Sequence, residues 1–304
     1  MSDTERGTGV RQLTFHSGGL TLAADEVPPA GPAHGWVLLL HGGGQTRHSW
    51  ARTGKLLGSA GWRAIAPDAR GHGDSAWDPA GDYTTAAMAR DIQAVIRQVG
   101  GPPVLMGASM GGMAALLAEG EHARLSRGLI LADVVPRLAT AGLTRIAAFM
   151  SAGATGYATL DDVTDALTAL SPGRARRPSP QSIRRIVRQG GDGRWYWHWD
   201  PRLAEMAGQP ERSVPIDRAF AAARRIRVPT LLIRGSASEV VTAEAAEELR
   251  RLIPGAAVRE TTAGHMVAGD DNDMFNRHVL EFLANLAETA GGAAPLVPNG
   301  GQKR

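Results

Sequence analysis

Residues 107 to 111 read Gly-Ala-Ser-Met-Gly, the pattern Gly-x-Ser-x-Gly in which a serine hydroxyl can act as a nucleophile. The pattern is short for a chain with 38 glycines, so its flanks decide its meaning. An apolar run from Val104 to Met106 precedes it and helix formers from Met110 to Glu119 follow, which reads as strand, sharp turn and helix. A nucleophile elbow needs that order, with small residues on both sides because neighbouring backbones approach closely. Gly107, Ala108, Gly111 and Gly112 supply them. Met110 would open the helix, leaving its N–H free to face a developing negative charge.

A serine nucleophile needs a base, and the base needs a carboxylate to orient it. In a parallel sheet these groups come from loops after the strands, in chain order serine, acid, histidine. His265, in "TTAGHMVAGDDND", follows the last strand-like run and precedes the final helical stretch. The other eight histidines fall in tight turns, helical stretches, early loops or an aromatic run, and have blander explanations. For the acid, Glu239 in the loop "SASEVVT" is favoured, and Asp133 at the end of "GLILAD" is the alternative, with capping of the following segment as its other role. The loop "HGGGQTRHSW" offers free amides for an oxyanion, Gly43 first and Gly44 next. Nucleotide binding is the rival use of such a loop, but no Gly-Lys-Ser/Thr follows.

The elements that must position these groups alternate along the chain. "RQLTFHSGGLTLAADEV" reads as a hairpin. Strand-like runs follow at 36–41, 62–68, 103–106, 128–133, 229–235 and 256–262, with helical stretches near 48–60, 84–99, 110–120, 243–252 and 273–289. This is the pattern of an α/β fold, a mostly parallel sheet covered by helices on both faces. Residues 134–228 break the rhythm: no strong strand is expected there, and 15 Arg against 8 acidic residues give a net charge of +7. The sequence divides into a core at 11–133 and 229–290, a helical cap at 134–228, and disordered ends at 1–10 and 291–304.

Composition sets the outer limits. A chain of 304 residues with 43% hydrophobic residues can bury a large core. No apolar run reaches the roughly 20 residues that span a bilayer, and the polar start lacks a secretory centre, so a cytoplasmic location and no membrane partner are expected. Zero cysteines exclude disulfides, thiolate catalysis and cysteine-ligated metals. The net charge of +3 rests almost wholly on arginine, with Lys55 and Lys303 the only lysines, and no dense basic face with interleaved aromatics suggests nucleic acid.

Four separated segments, "HGGG" at 41, "DARGHGDS" at 68, "GASMGG" at 107 and "AGHM" at 263, together resemble the α/β-hydrolase superfamily, in its cap-bearing, esterase or non-haem peroxidase-like branch. The resemblance covers about residues 11–290. It implies an eight-stranded, mostly parallel sheet, a helical cap after the sixth strand and a site between them. Carried over, Ser109 is the nucleophile, His265 the base, and Gly43 and Met110 the oxyanion amides. The branch commonly has Ser-Asp after the seventh strand, where this chain has Ser238-Glu239.

Serine at the elbow, in place of the aspartate of dehalogenases and epoxide hydrolases of similar architecture, points to acyl chemistry. The leading expectation is hydrolysis of a carboxylic ester or lactone of a small molecule through an acyl-enzyme, with neither metal nor organic cofactor. A carbon–carbon bond hydrolase or lyase on the same residues, and a hydrolase-fold ligand-binding protein with little turnover, are the alternatives. In the cap, Trp195 and Trp197 are candidates to line the pocket, and the arginine excess raises the idea of an anionic substrate.

Overall fold

The computed structural model describes residues 9–122, 124–170, 179–207, 213–268 and 273–291. The disorder expected at residues 1–8 and 292–304 lies outside them.

The hairpin β1 (Arg11–Ser17) and β2 (Leu20–Val27) forms one edge of an eight-stranded sheet. Its inner strands are β3 (Gly35–Leu40), β4 (Trp62–Pro67), β5 (Val104–Ala108), β6 (Gly128–Ala132) and β9 (Thr230–Gly235), with β10 (Ala257–Thr261) at the far edge. The order is β1-β2-β4-β3-β5-β6-β9-β10; the pairs β1–β2 and β2–β4 are antiparallel and the rest parallel.

The inner strands are largely apolar, Arg63 and Arg234 apart, because helices cover both faces. The period of two divides them between two cores. Leu38, Leu40, Leu105, Leu129 and Leu131 face α2 (Thr85–Val99) and α3 (Ser109–Glu121). Val37, Leu39, Val104, Met106 and Ile130 face the other way, into a core shared with Trp50, Leu57 of α1 (Ala51–Ser59) and Phe275 of the last helix, α10 (Asp273–Gly291).

The cap enters between β6 and β9. It comprises α4 (Thr140–Ser151), α5 (Leu160–Leu170), the single turn α6 (Pro180–Ile183), a two-stranded ribbon of β7 (Val187–Gln189) and β8 (Trp195–Trp197), and α7 (Arg202–Ala207). The ribbon corrects the expectation of a strandless segment: the turn "GGDG" between Gln189 and the aromatic run allows antiparallel pairing of Val187 with Trp197 and Gln189 with Trp195. After the cap, α8 (Ile216–Arg225) returns to pack on α3, where Gly120 approaches the Ala222 carbonyl so closely that a β-carbon would lie 2.2 Å from it. The helix α9 (Ala243–Leu252), capped by Thr242, then joins β9 to β10.

The cap is fastened to the loop after β4. The Asp200 carboxylate accepts from Tyr83 Oη at 2.5 Å and from Arg202, and the Asp200 amide donates to the Gly71 carbonyl at 2.8 Å. Burial and the bond to Asp200 push the Tyr83 phenol up to about 12, so it remains a donor.

Candidate active site

Ser109 lies at the junction of β5 and α3 with φ +46, in the left-handed region that costs a side-chain-bearing residue about 1–2 kcal/mol. The close contact of strand, helix and the loop after β3 holds it there. A β-carbon on Gly111 would come within 2.5 Å of the His41 carbonyl, so glycine alone lets α3 start this close to the end of β3.

The Ser109 hydroxyl is 3.0 Å from His265 Nε2, and His265 Nδ1 is 2.7 Å from Asp133 Oδ2. A neutral imidazole protonated on Nδ1 satisfies both contacts, donating to the carboxylate and accepting from the hydroxyl. The Asp133 side chain is wholly buried and that of His265 is 12% exposed. Asp133 stands one residue beyond β6 with φ +50. Its Oδ1 accepts the Gly235 amide at 2.9 Å, and its Oδ2 also accepts the Ser238 hydroxyl at 2.5 Å. The loop bearing His265 can reach this point because Gly235 at the end of β9 has no side chain; a β-carbon there would lie 2.2 Å from the Gly264 carbonyl.

Glu239, the acid favoured by sequence, is not in this line. Its carboxylate is half-exposed and pairs with Arg145 of the cap at 2.6 Å. Adjacent residues of the loop after β9 send their side chains in different directions: Ser238 turns inward to Asp133, and Glu239 turns outward. The alternative acid, Asp133, is the one hydrogen-bonded to His265.

On the other side of Ser109 is the loop after β3. The Gly42 amide donates to Gln45 Oε1 at 2.9 Å and the Gly44 amide to His72 Nε2 at 3.3 Å. Among the described residues the Gly43 amide has no such partner, and Met110, second residue of α3, has one of the unpaired amides of a helix start. Gln45 also reaches across the cleft: its Nε2 lies 3.7 Å from the sulfur of Met266, next to the imidazole.

Three buried histidines brace this loop. His41 Nε2 accepts the Ala69 amide at 2.9 Å, His72 Nε2 accepts that of Gly44, and His198 Nδ1, from the cap, accepts that of Gly73 at 2.6 Å. Each acceptor role demands a neutral ring. Burial lowers the pKa of all three, well below its ordinary value for His72 and to about 3 for His198. Beneath them Arg47 joins Asp25, Asp68 and Asp74, and Asp68 accepts the Arg47 and Asp74 amides. Neither this network nor Gln45 was singled out by sequence; the "DARGHGDS" segment was its visible part.

In the cap, Trp197 is buried, stacked on Trp199 at 4.7 Å, and its Nε1 donates to the Ala152 carbonyl. Trp195 is bridged to Tyr157 and lies under the Arg184 guanidinium. The cap side chains over Gly43 and Gly44 are Met150, Phe149 and Trp199, of which the first two carried no sequence signal beyond apolarity.

Comparison with known proteins agrees with this architecture. Residues 35–271 match the family described as the alpha/beta hydrolase fold. The chain belongs to that family. It is 28% identical over 265 residues to Esterase Rv0045c of Mycobacterium tuberculosis, spanning 83% of each chain. It is likewise 28% identical over 270 residues to the sn-1-specific diacylglycerol lipase ABHD11 of Mus musculus, spanning 82% of this chain and 80% of that protein. Among solved structures, E-2-(acetamidomethylene)succinate hydrolase superposes with a TM-score of 0.77 at 24% identity, covering 91% of this chain and all of the other, a likeness of fold. Among the described residues of this α/β-hydrolase, no helix is long and apolar enough to cross a membrane.

Proposed function

We propose that this α/β-hydrolase is a serine hydrolase that cleaves an ester-like bond, a carboxylic ester or lactone, in a small molecule through an acyl-enzyme. The observation that carries the reading is the unbroken hydrogen-bonded line from the Ser109 hydroxyl through His265 to the buried Asp133 carboxylate. His265 takes the Ser109 proton as the oxygen attacks the carbonyl carbon, and Asp133 stabilises the imidazolium so formed. The amides of Gly43 and Met110 receive the oxyanion. The imidazolium then protonates the leaving alcohol. A water molecule, deprotonated by the same histidine, releases the acid and restores Ser109.

Ester chemistry is also what the names of these two relatives describe, an esterase and a lipase. The departure at Ser238-Glu239 gives no support to the ligand-binding alternative, because a carboxylate, that of Asp133, still meets His265.

The test is intact mass after treatment with a fluorophosphonate. One adduct on the native protein, absent from Ser109→Ala and His265→Ala, is the expected result. A folded native protein that takes no adduct would sink the activated-serine mechanism.

A further inference from the structure

The oxyanion loop is covered by four side chains of one chemical kind. A β-carbon built on Gly43 would lie 3.7 Å from Met150 Sδ and 3.9 Å from Met110 Sδ. One built on Gly44 would lie 3.3 Å from the Trp199 ring and 3.6 Å from that of Phe149. The backbone that faces the reacting carbonyl is therefore walled by two thioethers and two aromatic rings.

The walls differ in stiffness. Trp199 is stacked on Trp197 with an interplanar angle of 9°, and Phe149 lies 5.1 Å from Trp197, so the rings back one another. A methionine side chain has three rotatable bonds and adapts to what it meets. Met150 is buried on α4 above Gly43. Of the cap side chains, it is the adaptable one over Gly43, while Trp199 and Phe149 stand over Gly44.

Charge gives a second constraint. Among the described residues, three guanidinium groups of the cap are ion-paired, Arg145 with Glu239, Arg137 with Glu248 and Arg202 with Asp200, and Arg188 lies 4.3 Å over the Trp77 ring. Within the described wall a carboxylate would be desolvated without a counter-ion, which is strongly unfavourable.

We infer that the pocket over Gly43 and Gly44 takes an uncharged, compact apolar acyl group, and that Met150 sets its length, with Phe149 beside it. This rests on the serine hydrolase reading and narrows it to a substrate class.

The experiment uses the full chain and five 4-nitrophenyl esters: acetate, butyrate, hexanoate, octanoate and hemisuccinate. The last has the length of butyrate with a carboxylate in place of the methyl group. For the native protein, kcat/KM is expected to peak at acetate or butyrate, with hemisuccinate and octanoate each lower by about tenfold or more. Met150→Ala is expected to raise the octanoate-to-butyrate ratio about tenfold. Should that variant fail to fold, Phe149→Ala, at a half-buried position, carries the same expectation. Hemisuccinate turned over as well as butyrate, or a ratio unmoved in a folded variant, overturns the inference. Fluorophosphonate labelling separates the two levels: labelling of Ser109 with an unmoved ratio overturns this inference alone, whereas no labelling and no ester turnover overturn the serine hydrolase reading and this one with it.

Discussion

Ser238 and His265 hydrogen-bond the same oxygen of Asp133, Oδ2, at 2.5 and 2.7 Å. The Ser238 hydroxyl oxygen in turn accepts the amides of Val240 and Val241, each at 3.1 Å. With its lone pairs so engaged, its single proton is directed at Asp133. Ser238 is thus a positioning residue that fixes which way the carboxylate offers its charge to the imidazole. Ser238→Ala is expected to lower kcat about tenfold or more with little change in KM, as loss of a hydrogen bond to a charged group implies. Ser238→Thr keeps the hydroxyl and should recover most of the rate. Equal rates for native and alanine forms would show that Gly235 alone suffices to orient the acid.

Two carboxylates competed for the role of acid, and they separate in a single comparison. Asp133→Asn preserves shape but presents an amide to His265 Nδ1, favouring the wrong tautomer, and should reduce kcat by about 10⁴-fold where such a triad operates. Glu239→Gln removes only an exposed ion pair with Arg145 and should leave kcat within about twofold of native. Steady-state rates on one ester are sufficient. A larger loss from Glu239→Gln than from Asp133→Asn would reverse the assignment.

Why sequence reached most of this arrangement but favoured Glu239 over the carboxylate that meets His265 has a physical answer. The five inner strands are legible because burial on both faces demands largely apolar runs, and all six strand-like segments after the hairpin are strands, the edge strand β10 included. Ser109 and His265 are legible because each sits beside glycine just after a strand-like segment. The choice between Glu239 and Asp133 depends on which side chain turns inward, and that is fixed by the φ of +50 at Asp133 and by Ser238. Neither is written in local composition. The ribbon of β7 and β8 escaped for a related reason: its strands have three residues each, too few to show a period of two. Gln45 and the buried histidines act through contacts between residues tens of positions apart, which spacing alone does not reveal.

Gln45 joins the two sides of the cleft by holding the Gly42 amide with one end and lying against Met266 with the other. Gln45→Leu removes both contacts and frees Gly42 to disturb the loop that presents Gly43. The loss of one neutral hydrogen bond in a partly buried setting predicts a fall in kcat/KM of about fivefold to tenfold. Gln45→Glu keeps an acceptor for Gly42 but sets a negative charge beside Ser109, so it should lose at least as much. No loss in either variant would separate Gln45 from the loop that presents Gly43.

The histidine brace makes stability depend on pH in a definite direction. His41, His72 and His198 are held neutral when folded, with burial the leading cause, and His198 remains so down to about 3. In the unfolded chain each titrates near its ordinary value of 6.5. Above that value neither state binds the proton and these groups add no pH dependence. As pH falls below it, the unfolded chain gains protons the folded chain refuses, so stability declines, for His198 until pH reaches its folded value. Each such group contributes a slope of up to about 1.4 kcal/mol per pH unit. Urea unfolding at pH 7.5, 6.0 and 5.0 should show a falling midpoint. His198→Asn offers an amide oxygen to Gly73 without a titrating ring, so its curve should fall less steeply than the native one by about one proton. Identical slopes would mean that His198 is already open to water before the rest of the fold gives way.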